Sequence, residues 1–140
     1  MILLAFDPGE QTGWCRIDTA SGSIWGGSFE SWSEVVACIY NANGSAEQIV
    51  VERFMLYPQA AKRLKWDKLV MVEVIGVIKF VAKTFFGIPV TMQNARNGKR
   101  IQLAKKPLHF DKHACDALRH ALMFLKRKDL LTDELKEYIA

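Results

Sequence analysis

Four residues of this 140-residue chain have the types and spacing to hold a divalent cation: Asp7, Glu52, His113 and Asp116. Asp7 follows the apolar run MILLAF and Glu52 follows IVV, so each acid is predicted at the end of a buried strand. His113 and Asp116 stand three apart on a predicted helix and project from one face, with His120 a turn further along near the same face. Taken singly, an acid at a strand end is also an ordinary turn or cap residue, and a His–Asp pair is also ordinary on a surface helix. Taken together, three carboxylates and one imidazole suit magnesium, with manganese as a substitute. A site this rich in carboxylate can hold two ions. One makes hydroxide from water while the other stabilises the departing oxygen of a phosphodiester. The segment HFDKHAC brings His109, Asp111, His113 and Cys115 close in sequence and raises zinc as an alternative. Its spacing matches no finger or ribbon and no second ligand pair exists, so Cys115 reads as a small buried helix residue.

The charge distribution fits a polyanionic partner. Nineteen basic residues against fifteen acidic ones give a formal net charge of +4. The basic residues cluster: Lys62, Arg63, Lys65 and Lys68, then Lys99 with Arg100, Lys105 with Lys106, and Lys126 to Lys128. Such clusters suit phosphate neutralisation, although a solvated charged face has the same composition. Three cysteines without CxxC spacing argue against a disulfide scaffold and for a reducing, cytoplasmic setting. The N-terminus MILLAFDPGE lacks the basic start of a signal peptide and reads as a strand. The apolar stretch Leu69–Met92 carries Glu73, Lys79 and Lys83, which excludes a membrane span.

The elements that must position these residues follow from the hydrophobic pattern. Strands are predicted over Met1–Phe6, Trp14–Ile17, Ile24–Phe29, Gln48–Glu52 and Val90–Met92. A helix capped by Ser31 or Ser33 runs to about Tyr40 and closes at Asn43-Gly44. The longest helix is predicted over 59–85. At roughly 100° per residue its charges from Lys62 to Lys83 fall within an arc of about 140°, leaving an apolar surface wider than one sheet face needs. A protomer partner is the expected cover. Asn94–Pro107 reads as a polar, basic, mobile loop, followed by a helix over Asp111–Lys126 and a short one from Thr132. The order implies an α/β fold in one domain, 1–140: a mixed five-stranded sheet flanked by helices.

Three segments resemble one known family. AFDPGEQTGWC resembles the opening motif of the RuvC Holliday-junction resolvases, IVVERF their fourth strand with its catalytic glutamate at Glu52, and HACDALRHAL their last metal-binding helix. His113 and Asp116 take the two metal positions of that last motif. The resemblance spans Met1 to about Lys128 and implies an RNase H-like fold. It implies a magnesium-dependent endonuclease that nicks four-way DNA junctions symmetrically, leaving 5′-phosphate and 3′-hydroxyl ends, and a homodimer formed largely through the long helix. It further implies an aromatic residue near the crossover, for which Phe54 and Tyr57 are candidates; packing of Phe54 beneath the long helix is the alternative. Arg53, Lys62, Lys65, Lys99, Arg100, Lys105 and Lys106 are the expected DNA contacts. The segment Asn94–Phe110 is shorter than in cellular members, which points to a compact phage-type enzyme and leaves its strictness for junctions open.

Two other classes fit less of the sequence. An actin-like or sugar-kinase ATPase also places an acidic turn after its first strand but needs two such domains. A non-catalytic DNA-binding module would have no use for the four candidate ligands together. Within the nuclease class, an enzyme for flaps, other branched DNA or RNA–DNA hybrids is the alternative.

Overall fold

The computed structural model describes residues 1–42, 45–54 and 69–140. Its centre is a five-stranded sheet built from β1 (Ile2–Asp7), β2 (Thr12–Asp18), β3 (Ser23–Phe29), β4 (Ala46–Glu52) and β5 (Val90–Gln93). The strand order is β3-β2-β1-β4-β5. The first three strands form an antiparallel meander, and β4 and β5 run parallel to β1. This is the mixed sheet expected from hairpins followed by alternating helices and strands.

The helices are α1 (Trp32–Asn41), α2 (Leu69–Val81), α3 (Ala95–Lys99), α4 (Lys112–Arg127) and α5 (Asp133–Lys136). Strand alternation divides the core into two layers. Leu4, Phe6, Ile49 and Val51 pack with α1 and α2, whereas Leu3, Ala5 and Val50 pack with α4. The α4 sequence explains its place: Ala114, Ala117, Leu118, Ala121, Leu122 and Leu125 recur at helical spacing and are buried. Asp111 caps this helix by accepting from the Ala114 N–H at 2.8 Å, and Ser28 of β3 donates to the same carboxylate at 2.6 Å. The first turn of α4 lies against β2 so closely that a β-carbon at Gly13 would overlap the His113 carbonyl. That contact explains the Thr-Gly of the DPGEQTG turn.

Two expectations change. The long helix is described from Leu69 to Val81 and then widens into one π-helical turn, Ala82–Phe86; positions 59–68 lie outside the described residues, as does the Asn43-Gly44 turn. Asn94–Pro107 is not an unstructured loop. It forms α3, buries Ile101, and is stitched to the C-terminal segment by Ala104 N–H to Tyr138 O at 2.9 Å and Ala140 N–H to Gln102 O at 2.8 Å. Two or three anchoring apolar residues carry too little periodicity to be read beforehand. Among the described residues no helix is long and apolar enough to cross a membrane.

Candidate active site

The site arises from register. Phe6 lies beside Val51 in the parallel β1–β4 pair, and Glu52 lies beside Gln93 in the β4–β5 pair. One residue beyond Phe6 and Val51, Asp7 and Glu52 close their strands. Asp7, Glu52 and Gln93 therefore form a row at the carboxyl ends of three parallel strands, the end where open α/β sheets bind ligands. By alternation all three share the face that Leu3, Ala5 and Val50 present to α4. Asp116 and His120, one turn apart on α4, come down onto this row.

Asp7, Glu52, Asp116, Arg119 and His120 line one cleft of about 660 Å³, whose opposite wall is α3 with Gly98 and Lys99. Burial, then the neighbouring Glu52 charge and hydrogen bond, then Asp116, push the Asp7 carboxyl up to about 8. Glu52 is held below its usual range. Burial would raise it, but the hydrogen bonds from His120 and Asp7 outweigh that, helped by the positive charge of Lys99. The pair thus holds its proton on Asp7 and its charge on Glu52. His120 is 2% exposed, with Nε2 2.9 Å from Glu52 Oε2 and Nδ1 2.9 Å from Gln93 Oε1. Asp116 accepts from Arg119 Nη1 at 2.6 Å.

Among the described residues no three acidic, histidine or cysteine side chains already enclose one point as an ion cage. Asp116 is turned to Arg119, which accounts for part of this. The donor set nonetheless fits a hard cation. Three carboxylates line one cleft, and two of them are forced together tightly enough to retain a proton, a repulsion that a bound cation relieves.

The remaining candidates are dispersed. His113 is half-buried in the first turn of α4 and is not among the residues lining the cleft. Phe54 is half-buried and packs on the α1–α2 side of the sheet, as expected for a residue beneath the long helix. Arg53 and Arg100 are exposed. Lys105 is bonded to Glu137 at 2.9 Å and lies over the Tyr138 ring, and Lys106 reaches the Phe110 carbonyl at 3.4 Å. Only Lys99 of these basic residues lines the cleft. Tyr57, Lys62 and Lys65 lie outside the described residues. Sequence reasoning did not assign Arg119, Gln93 or His120 to the site. The spacing of Arg119 and His120 from Asp116, three and four residues along α4, was the available signal.

No family model matches the sequence, and a search of curated proteins finds no match. Solved structures do match. T. thermophilus RuvC in complex with a Holliday junction substrate superposes with a TM-score of 0.65 at 16% identity, over 93% of this chain and 98% of that one. The fowlpox virus Holliday junction resolvase superposes with a TM-score of 0.57 at 13% identity, over 91% and 99%. The chain shares with these two structures its α/β fold, a mixed five-stranded sheet flanked by helices. The similarity to RuvC runs through nearly the whole of both chains.

Proposed function

We propose that this protein is a metal-dependent endodeoxyribonuclease that resolves four-way DNA junctions as a homodimer, leaving 5′-phosphate and 3′-hydroxyl ends. The observation that carries the reading is the convergence of Asp7, Glu52 and Asp116 on one cleft, in a fold shared with two junction resolvases. Asp7, Glu52 and Asp116 would hold the ions, two Mg2+ in this reading with Mn2+ able to substitute, and His113 is the proposed fourth donor, joining by turning toward the cleft. Bound ions of this class supply an activated water and stabilise the departing oxygen.

The chain's own residues supply the rest. Asp7 would have to give up its proton for both carboxyls to serve as ion ligands. Arg119 pairs with Asp116 at the cleft wall, and Lys99 on the opposite wall would meet a phosphate. Arg53, Arg100, Lys105 and Lys106 would contact the DNA backbone further out, with Lys62, Lys65 and Tyr57 in the proposed binding surface. Phe54 contributes by packing rather than by wedging, given its place against the core.

Asp7→Asn and Asp116→Asn are each expected to abolish Mg2+-dependent cleavage of a four-way junction while junction binding in EDTA survives. Undiminished cleavage by either variant would sink the proposed site. Comparing four-way, three-way, flap and RNA–DNA substrates decides between a strict resolvase and a broader branched-DNA nuclease.

A further inference from the structure

Glu52 ends its strand with a flexible side chain, yet one of its two carboxylate oxygens is already committed. His120 Nε2 lies 2.9 Å from Glu52 Oε2, and the ring's other nitrogen lies 2.9 Å from the Gln93 carboxamide. The imidazole is buried to 2% exposure, and Gln93 is equally enclosed. Among the described residues no buried side-chain polar atom lacks a partner, so this chain of three groups is fully satisfied. An ionised Glu52 can only accept, so the contact requires Nε2–H as donor. The Gln93 carboxamide, which offers both an acceptor and a donor, can meet Nδ1 in either state.

The ring is also clamped from above. Gly98 of α3 lies so close to its face that a β-carbon there would stand 2.9 Å from Nε2, 3.1 Å from Cε1 and 3.2 Å from Cδ2. Only glycine leaves room for the ring in this place. Arg127 of α4 donates to Asn97 at 2.8 Å and pins α3 over the ring. His120 is thus held at both nitrogens and on one face, and the cleft acid it bonds is Glu52.

We propose that His120 is a positioning residue: wedged between Gln93 and Glu52 beneath Gly98, it fixes the Glu52 carboxylate in the orientation that binds a divalent cation. The inference rests on the reading of Asp7, Glu52 and Asp116 as the ion-binding acids. Pinning Oε2 removes rotation about the last side-chain bond, so the remaining donor capacity is aimed before the ion arrives. Groups that orient ligands in this way typically change ion affinity by roughly 10–100-fold when removed.

The test measures Mn2+ affinity by isothermal titration calorimetry without DNA, with thermal melting of every variant alongside. His120→Gln carries an amide nitrogen that reaches about as far as Nε2, and His120→Asn reaches only about as far as Nδ1. His120→Asn keeps a polar group beside Gln93, and His120→Gln keeps one beside Glu52. His120→Gln is expected to bind Mn2+ nearly as tightly as the parent, whereas His120→Asn loses roughly tenfold or more. A role in packing alone would lower both melting temperatures and leave the two affinities alike. Gly98→Ala, which displaces the ring without removing it, is expected to weaken binding in the direction of His120→Asn. Parental affinity in folded His120→Asn and folded Gly98→Ala overturns the role of His120. Should His120→Asn not fold, Gly98→Ala decides alone. No binding by the parent protein sinks the ion-binding reading itself, and the inference with it.

Discussion

An acid that keeps its proton at neutral pH weakens the fold that holds it, and Asp7 is such an acid. Burial, Glu52 and Asp116 push it up to about 8 from an ordinary 3.8. Between those values the folded protein binds a proton that the unfolded chain has released, so stability falls as pH rises across the window. Asparagine cannot ionise and removes that slope. Asp7→Asn is therefore expected to melt above the parent in EDTA, by on the order of a few kcal/mol near neutral pH, with the gap narrowing toward the acid end. Equal melting temperatures across the window would contradict the raised carboxyl. At this scale the sequence was readable where chemistry follows strand ends and helix spacing: Asp7, Glu52 and Asp116 all line the cleft. Gln93 was not readable, because its role depends on β5 pairing with β4 in one particular register. The pairing of Lys105 with Glu137 was not readable either, because no local pattern reveals a partner 32 residues on.

The element on which the site depends is α4. Its N-cap, Asp111, is held below the usual carboxylate range by the Ser28 hydroxyl and the Ala114 N–H. A depressed carboxyl stabilises the fold above its ordinary pKa and loses that contribution as pH falls through the lowered value. Asp111→Ala is expected to cost about 1 kcal/mol at neutral pH, and its melting temperature should converge with the parent's only in acid, below the ordinary 3.8. A gap that persists undiminished in strong acid would show that the cap acts by some means other than its charge. The strands and α4 were legible because their apolar periods are clean. The 94–107 segment was not, since a short helix anchored by Ile101 and a few backbone bonds looks like loop in any window.

Across the whole molecule, the sheet separates two tasks. The α4 layer holds the acid-lined cleft, and the opposite layer presents α2 outward. Leu69, Val72 and Phe80 of α2 are exposed, Phe80 to 60%, and Gly76 between them has open space where a side chain would be. Phe80 and Phe85 meet edge to face, with Tyr40 of α1 beside them. In the homodimer proposed above this surface is the covered one. Phe80→Glu is expected to shift sedimentation at micromolar concentration from dimer to monomer with the melt still cooperative; a dimer that survives it would place the interface elsewhere. The breadth of the apolar long-helix surface was legible in sequence, whereas which part of it faces outward required the sheet. The placement of Asp116 on the helix that also closes the core has a consequence for the timing of synthesis. A nascent chain that has not yet reached residue 111 possesses Asp7 and Glu52 but neither the third acid nor the layer that covers Leu3 and Val50. In the proposed nuclease a half-made chain would lack both the third acid and the covering layer, so the complete site would form only in the docking step that closes the core.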